Sequence, residues 1–555
     1  MEMRLPTSRD STRGSVWRQR GARGRHRGAT RPTDPGAARR GRASAVRRSC
    51  VSFVEISGGS RAPPSDGTAL APVAGLARHL LRPRSVNRRR RRTGTSCLQA
   101  GLYLSLFCAL ACASPVDYTG KVRSGTRSSV ALEFAGHPLA LGAQASERLI
   151  EQAAPDDGRS SLERMLAVET ALTGSPLVAG NSVHLLVDGP AAYAALFAAI
   201  ANARDHVHLE TYLLADDEVG RRLGNLLVAR RKHGVSVRIL YDGIGSVGTS
   251  AAFFDRLRSA GIEIQAFHPL DPLQHPKIWE LNNRDHRKLT IVDGRVGFTG
   301  GMNISDVYAR SSLSAPRGIP DLHSRWRDTQ IQIEGPAVAE LQKLFLAHWR
   351  EAAPSSASPH PRASYFPTLE PRGEDLVRIV ASAGGGDRYE IYNAYLAAVE
   401  HARQRIWVTQ AYFVPGERFV GALQAAARRG VDVRLLVPGL CDHAMTLAAS
   451  RSYYSELLEA GARIFERSDA MVHAKTAVID GVWSTVGSSN LDDRSFLHND
   501  EANAVVVGRS FGAQMESLFA ADLGRAHEVD AGAWARRSIA ERMHEELGRL
   551  FAYWI

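Results

Sequence analysis

The chain has 555 residues, more than one hydrophobic core usually covers, so its length predicts two catalytic-sized units plus an appendage. Its formal net charge of +13 is uneven: residues 1–114 carry 23 Arg against five acidic residues, a net of +18, while residues 115–555 carry 47 basic and 52 acidic residues, a net of −5. That remainder is a poor electrostatic funnel for a polyanion, so no nucleic-acid partner is expected. Because Cys50, Cys97, Cys108 and Cys112 all lie in the basic segment and only Cys441 follows it, a disulfide framework is excluded for the folded part.

Taken in chain order, residues 1–85 are dominated by Arg, Gly, Ala, Ser and Pro without apolar periodicity, which predicts a disordered Arg-rich extension; a translation start near Val86 is the competing reading. Within 86–114 the basic cluster from Arg88 to Arg92 precedes the apolar run LQAGLYLSLFCALACA at 98–113, the pattern of a signal peptide or a short membrane anchor. The run is shorter than the ~20 apolar residues that a bilayer-crossing helix wants.

From about residue 160, helices rich in Ala, Leu and Arg alternate with short β-branched runs, which points to an α/β architecture. HVHLETYLL at 206–214 reads as a strand, 216–234 as a helix ending at Gly234, and VSVRILYDG as the next strand. The second half repeats this order with RIWVTQAYFVP at 405–415, a helix ending at Gly430, and VDVRLLVPG. A further helix and strand follow in each half, AAFFDRLRSAGIEIQAF and SELLEAGARIFER. The repeat predicts two homologous lobes, at 160–350 and 375–555, with the Pro- and Ser-rich stretch 351–374 as linker. An insert at about 309–324 has no counterpart in the second half and is expected to form a loop over the site.

Each half then reaches a histidine motif. In HRKLTIVDGRVGFTGGMNI, His286, Lys288 and Asp293 are followed by Asn303, seventeen positions after the histidine; in HAKTAVIDGVWSTVGSSNL, His473, Lys475, Asp480 and Asn490 stand at identical offsets. The β-branched residues after each Lys predict a strand, whose two-residue period puts His and Lys on one face. The Gly-rich turn before each Asn is expected to let backbone approach a ligand closely. Asp328 and Glu501 each stand seven residues before a glycine at the start of an alternating run, so each lobe offers one carboxylate, expected to accept the Nδ1 proton of that lobe's own imidazole.

These residue types suit attack on a phosphodiester, which needs positive charge near the non-bridging oxygens, a nucleophile active near neutral pH and a proton for the leaving oxygen. Lys288 and Lys475 would neutralise developing charge, Asn303 and Asn490 would bind phosphoryl oxygens, one imidazole would attack phosphorus and the other would transfer protons. Asp293 and Asp480 complete the catalytic motif, although taken singly each reads as the closure of a turn before Gly294 and Gly481. A histidine-bound metal is not expected, because neither motif carries ligand spacing.

The two motifs resemble the phospholipase D superfamily, and the span from about 180 to 555, through HLETYLLADDEVG, GFTGGMNISDVY, TQAYFVPG and GSSNLDDRSFLHNDE, resembles its bacterial cardiolipin synthase branch. The resemblance implies an α/β fold of two phospholipase D-type lobes, each a mixed sheet flanked by helices, related by a pseudo-twofold with one active site between them. It implies no cofactor, His286 as nucleophile and His473 as acid/base. It also implies a phospholipid substrate, with phosphatidylglycerol giving up its phosphatidyl group to a second lipid alcohol; hydrolysis of phospholipids, or of nucleic acid, on the same scaffold stays open. The location it implies is the bacterial cell membrane, held peripherally or by the N-terminal segment, with the periplasmic face open. The C-terminal ELGRLFAYWI reads either as an amphipathic end at the membrane surface or as a helix packed on the second lobe.

Overall fold

The computed structural model describes residues 132–133, 143–153, 159–270, 282–314, 325–352, 362–385 and 389–552. The chain divides into Met1–Arg91 and Arg92–Ile555; the first unit lies wholly outside the described residues. So do the expected signal or anchor at 86–114, most of the insert at 309–324 and part of the linker.

The first lobe is built from strands β1 (Leu177–Val187), β2 (His206–Thr211), β3 (Ser236–Asp242), β4 (Glu263–Phe267), β5 (Lys288–Val292), β6 (Val296–Gly300) and β7 (Thr329–Glu334). They hydrogen-bond in the order β1-β7-β6-β5-β2-β3-β4, antiparallel except for the parallel pairs β2–β3 and β3–β4. The second lobe repeats this with β8 (Asp375–Ser382), β9 (Arg405–Gln410), β10 (Asp432–Pro438), β11 (Arg463–Arg467), β12 (Lys475–Ile479), β13 (Trp483–Gly487) and β14 (Asn499–Val507), in the order β8-β14-β13-β12-β9-β10-β11 and with the same senses. The opening strands β1 and β8, which the sequence pattern did not single out, pair antiparallel with each other and join the two sheets.

The helices follow from local signals. Glu218–Lys232 is capped by Asp217, whose carboxylate accepts from Gly220 N–H, and ends in Arg230, Arg231 and Lys232, where the helix dipole favours positive charge. Gly234 and, at the end of the equivalent helix Gly416–Arg428, Gly430 both adopt φ of 88°, a left-handed conformation that carries no Cβ penalty in glycine.

One apolar layer spans both lobes. Ile331, Ile333, Leu341 and Phe345 of the first lobe pack in one cluster with Val377, Ile379, Val506 and Met515 of the second, under the helices Val338–Ala352 and Arg509–Leu523. The outer faces are covered separately. The helix Arg159–Thr173 corrects the expected boundary at residue 160: its Leu162, Met165 and Leu166 belong to the core of the second lobe, and Trp483 Nε1 donates to Glu169 at 2.7 Å.

The C-terminal helix, Ile539–Leu550, opens with a capping box between Ser538 and Glu541. It packs on Ala444–Ser452 through Gly548, where an added Cβ would lie 2.5 Å from Ala449 N. Its opposite face exposes Ile539, Met543, Leu547 and Leu550, with Phe551 beyond the helix. Among the described residues no helix is long and apolar enough to cross a membrane.

Candidate active site

His286 and His473 each stand two residues before the strand that their motif predicts, β5 and β12. Both segments reach across the pseudo-twofold. Arg284 and Asp285 pair in parallel with Asn499 and Asp500, and His286 N donates to Asp500 O at 2.9 Å. In mirror fashion Arg327 bridges to Val472, and His473 N donates to Arg327 O at 2.8 Å.

This crossing corrects the assignment of the carboxylates. His286 Nδ1 lies 2.9 and 3.0 Å from the two oxygens of Glu501, and His473 Nδ1 lies 2.7 Å from Asp328 Oδ2, so each imidazole is oriented by the other lobe. The physical reason is topological: β7 and β14 begin at the lobe boundary, and Asp328 just before β7 and Glu501, third in β14, face the partner motif. An offset along the chain carries no information on which lobe a strand start faces.

With Nδ1 engaged, Nε2 is the nitrogen each ring has available, and both rings line a single cavity of about 550 Å³. Burial, followed by Lys288 and Lys475, holds His286 well below the usual histidine range. Burial and then Lys475 bring His473 down to about 4, against the opposing pull of Asp328. Both imidazoles are therefore neutral near pH 7, as a nucleophile requires. Burial raises Glu501 to about 7, opposed by Lys288 and by hydrogen bonds that include Ser488, whose Oγ donates at 2.5 Å.

The lysines lie behind the rings. Lys288 and Lys475 Nζ each donate to the carbonyl of their own motif histidine at 2.5 Å, and burial lowers them to about 7 and about 8. Asn303 and Asn490 both reach the cavity wall. Asn303 accepts from Leu213 N–H and donates to Tyr308 OH, whereas Asn490 Oδ1 is buried without a hydrogen-bond partner among the described residues.

Asp293 and Asp480 do not join this group, which corrects their place in the catalytic set. Each follows the last residue of its strand, five residues beyond the motif Lys, or about 16 Å at the usual strand rise. Asp293 accepts from the backbone N–H groups of Arg204, Asp205 and His206, and Asp480 from those of Arg403, Gln404 and Arg405. At φ of 53° and 52° they close left-handed turns that hold the start of β2 and β9. The glycines before each Asn likewise make room for protein rather than for ligand: a Cβ on Gly301 would fall 2.2 Å from Asp328 Oδ1, and one on Gly487 would fall 2.0 Å from Asn503 Oδ1.

Aromatic residues that sequence reasoning passed over complete the wall. Tyr212 lies edge-on to His286 at 5.2 Å between centroids, and Trp326 and Tyr308 lie 5.0 and 5.7 Å from His473. Tyr412, also near His473, stands where the first repeat has Leu213, since Thr211 pairs with Lys288 as Gln410 pairs with Lys475, so aligning the repeats gives no signal for it.

Among the described residues one group has ligand atoms close enough to hold a metal: Glu210, Asp285 and His348, buried beneath the first motif. Burial opposes protonation of His348, but Glu210 and Asp285 outweigh it and raise the ring to about 10, and Arg287 stands 3.9 Å from Glu210. With the ring protonated, His348 and Arg287 are the cations that offset the buried carboxylates of this cluster.

Paired lobes that repeat one motif and lend a histidine each to one cavity define the fold of the phospholipase D-like proteins. The family described as "Cardiolipin synthase, PLD-like domain" matches residues 196–314 and 395–523, one segment per lobe. The chain is 36% identical over 380 residues to a cardiolipin synthase of Listeria monocytogenes, covering 68% of this chain and 76% of that one. It is 35% identical over 385 residues to cardiolipin synthase 1 of Bacillus anthracis, covering 68% and 74%. A solved phosphatidylserine synthase of Haemophilus influenzae shares the fold at a TM-score of 0.53 and 14% identity, over 70% of this chain and 97% of that one. The chain belongs to the cardiolipin synthase family of phospholipase D-like proteins.

Proposed function

We propose that this protein transfers the phosphatidyl group of phosphatidylglycerol to the hydroxyl of a second phospholipid, producing cardiolipin and glycerol. The observation that carries the reading is the convergence of two neutral imidazoles, each tethered at Nδ1 from the opposite lobe, on one cavity.

In this reading His286 Nε2 attacks phosphorus, the bond from phosphorus to the glycerol oxygen breaks, and His473 supplies the proton that the departing glycerol takes. An entering phosphodiester adds negative charge beside both rings and raises the proton affinity of His473, so a ring that is neutral in the empty cavity can act as an acid. The neutral His473 then removes the proton of the acceptor hydroxyl, whose oxygen displaces His286 and ends the phosphohistidine. Lys288 and Lys475 contribute positive field from behind the rings, and Asn303 and Asn490 bind phosphoryl oxygens at the wall. Glu501 and Asp328 fix the tautomers.

The test is a product assay by mass spectrometry on vesicles holding phosphatidylglycerol, with wild type, His286→Ala and His473→Ala. Cardiolipin from the wild type and a loss of at least a thousandfold in each variant are expected. Phosphatidic acid as the sole product would replace transfer by hydrolysis, and an active alanine variant would refute the paired mechanism.

A further inference from the structure

The two halves of the cavity are not equivalent, and the difference is one of charge. Four positions after each motif Asn, the second lobe places Arg494 and the first lobe Val307, and both side chains line the cavity. Two positions before each motif His, the first lobe has Arg284 and the second has Met471. Both arginines therefore fall on the side of His286 and Tyr212, where the charge of Arg494 is felt by His286, Tyr212 and Arg284 alike. The side of His473 carries Val307, Trp326 and Tyr308 in addition to Asp442, which accepts from Tyr412 OH at 2.8 Å.

Arg284 is buried and stands 3.5 Å from Asp242. Arg494 is half-buried, and its guanidinium forms neither an ion pair nor a hydrogen bond with another side chain among the described residues. Asp492, which lines the same cavity and feels the charge of Arg494, accepts from Ser495 N–H. Two like charges on one cavity, one of them without a side-chain partner among the described residues, form a ready site for an anion. The reacting phosphodiester already has the motif imidazoles, lysines and asparagines. A second anion has no such provision.

We propose that Arg494, supported by Arg284, is an acceptor subsite that binds the phosphodiester of the incoming lipid. The inference rests on the transfer reading above and assigns the residues that recognise the phosphate of its acceptor. In phosphatidylglycerol the free primary hydroxyl lies three carbons from the phosphate. That spacer lets the hydroxyl sit by His473 while the phosphate reaches the arginine wall. The subsite favours a phospholipid over water or an uncharged alcohol by binding the acceptor at a charged group remote from the reacting oxygen.

The experiment is a competition in mixed vesicles between phosphatidylglycerol and monoacylglycerol, two lipids with a primary hydroxyl of which only the first carries phosphate. The readout is the ratio of cardiolipin to phosphatidyl-monoacylglycerol, which does not depend on the amount of active protein. In Arg494→Gln the ratio is expected to fall about tenfold, and in Arg494→Lys to stay within about threefold of wild type. Adding sn-glycerol 3-phosphate to the wild type, a measurement that needs no variant, is expected to suppress cardiolipin in preference to the other product. An unchanged ratio in the glutamine variant, or equal suppression of both products, overturns the subsite while leaving the transfer reading intact. A wild type that makes no cardiolipin overturns the transfer reading and the subsite with it.

Discussion

In the proposed reaction an imidazole attacking through Nε2 needs its proton held on Nδ1, and the carboxylate beside each Nδ1 comes from the opposite lobe. The crossing has an observable consequence. In spectra of protein with nitrogen-labelled histidine, Asp328→Asn is expected to loosen the tautomer of His473 and leave that of His286, while Glu501→Gln does the reverse; turnover should fall at least tenfold in both. The opposite association would restore pairing within each lobe. Acid sensitivity belongs to the same residues. The folded state holds His473 at about 4, below its ordinary 6.5, so the unfolded chain binds the extra proton between those values and acidification favours unfolding. Fully developed, that linkage amounts to about 3 kcal/mol. Glu501, raised to about 7, acts in the opposite sense: it loses stability as pH rises through the same window, and so offsets part of the slope. Thermal unfolding from pH 7 to pH 4 should therefore show a smaller acid loss in His473→Asn than in wild type. At this scale the sequence was legible wherever two repeats agreed. His286, His473, Lys288, Lys475, Asn303 and Asn490 could be named from matching offsets, whereas Arg284 and Arg494 could not, because each faces an aliphatic residue in the other repeat.

Strands β5 and β12 separate chemistry from support along their own length. At one end stand His and Lys, beside the cavity; at the other, Asp293 and Asp480 bind the backbone that begins β2 and β9. Replacing either Asp by Ala is expected to lower the melting temperature by leaving three backbone N–H donors without their carboxylate acceptor and by straining the turn, with turnover per folded molecule largely kept, as measured by calorimetry beside the product assay. The C-terminal helix is a second element with two faces. Its inner face is fixed on Ala444–Ser452, whose Met445 and Thr446 line the cavity, and its outer face presents Ile539, Met543, Leu547 and Leu550. Of the two readings of ELGRLFAYWI from the sequence, packing is present on the inner face, while Tyr553, Trp554 and Ile555 lie outside the described residues. If the outer face meets the bilayer beside the cavity mouth, Met543→Glu with Leu547→Glu should reduce co-sedimentation with phosphatidylglycerol vesicles at least tenfold while the melting temperature holds. Unchanged sedimentation would give membrane contact to another surface. Helix and strand periods made these elements readable, but β1 and β8 escaped because their place at the seam is set by pairing across lobes.

For the molecule as a whole, the lobes are interdependent in two ways. They share the apolar layer containing Phe345 and Met515, and each completes the other's histidine. Chains cut between 353 and 361 are therefore expected to be inactive as separate fragments and to recover activity when co-expressed, as assayed by cardiolipin formation. A fragment active alone would mean that one lobe suffices. The amino-acid sequence by itself determined the α/β class, the doubling, the motif residues and the reaction type, because strand and helix periods are local and a repeat compares the chain with itself. Tertiary structure alone decided that the carboxylates cross between lobes, that the helix Arg159–Thr173 serves the second lobe, and that two arginines share one wall. Those facts depend on which distant segments meet across a seam, and contacts between residues hundreds of positions apart leave no mark on local spacing.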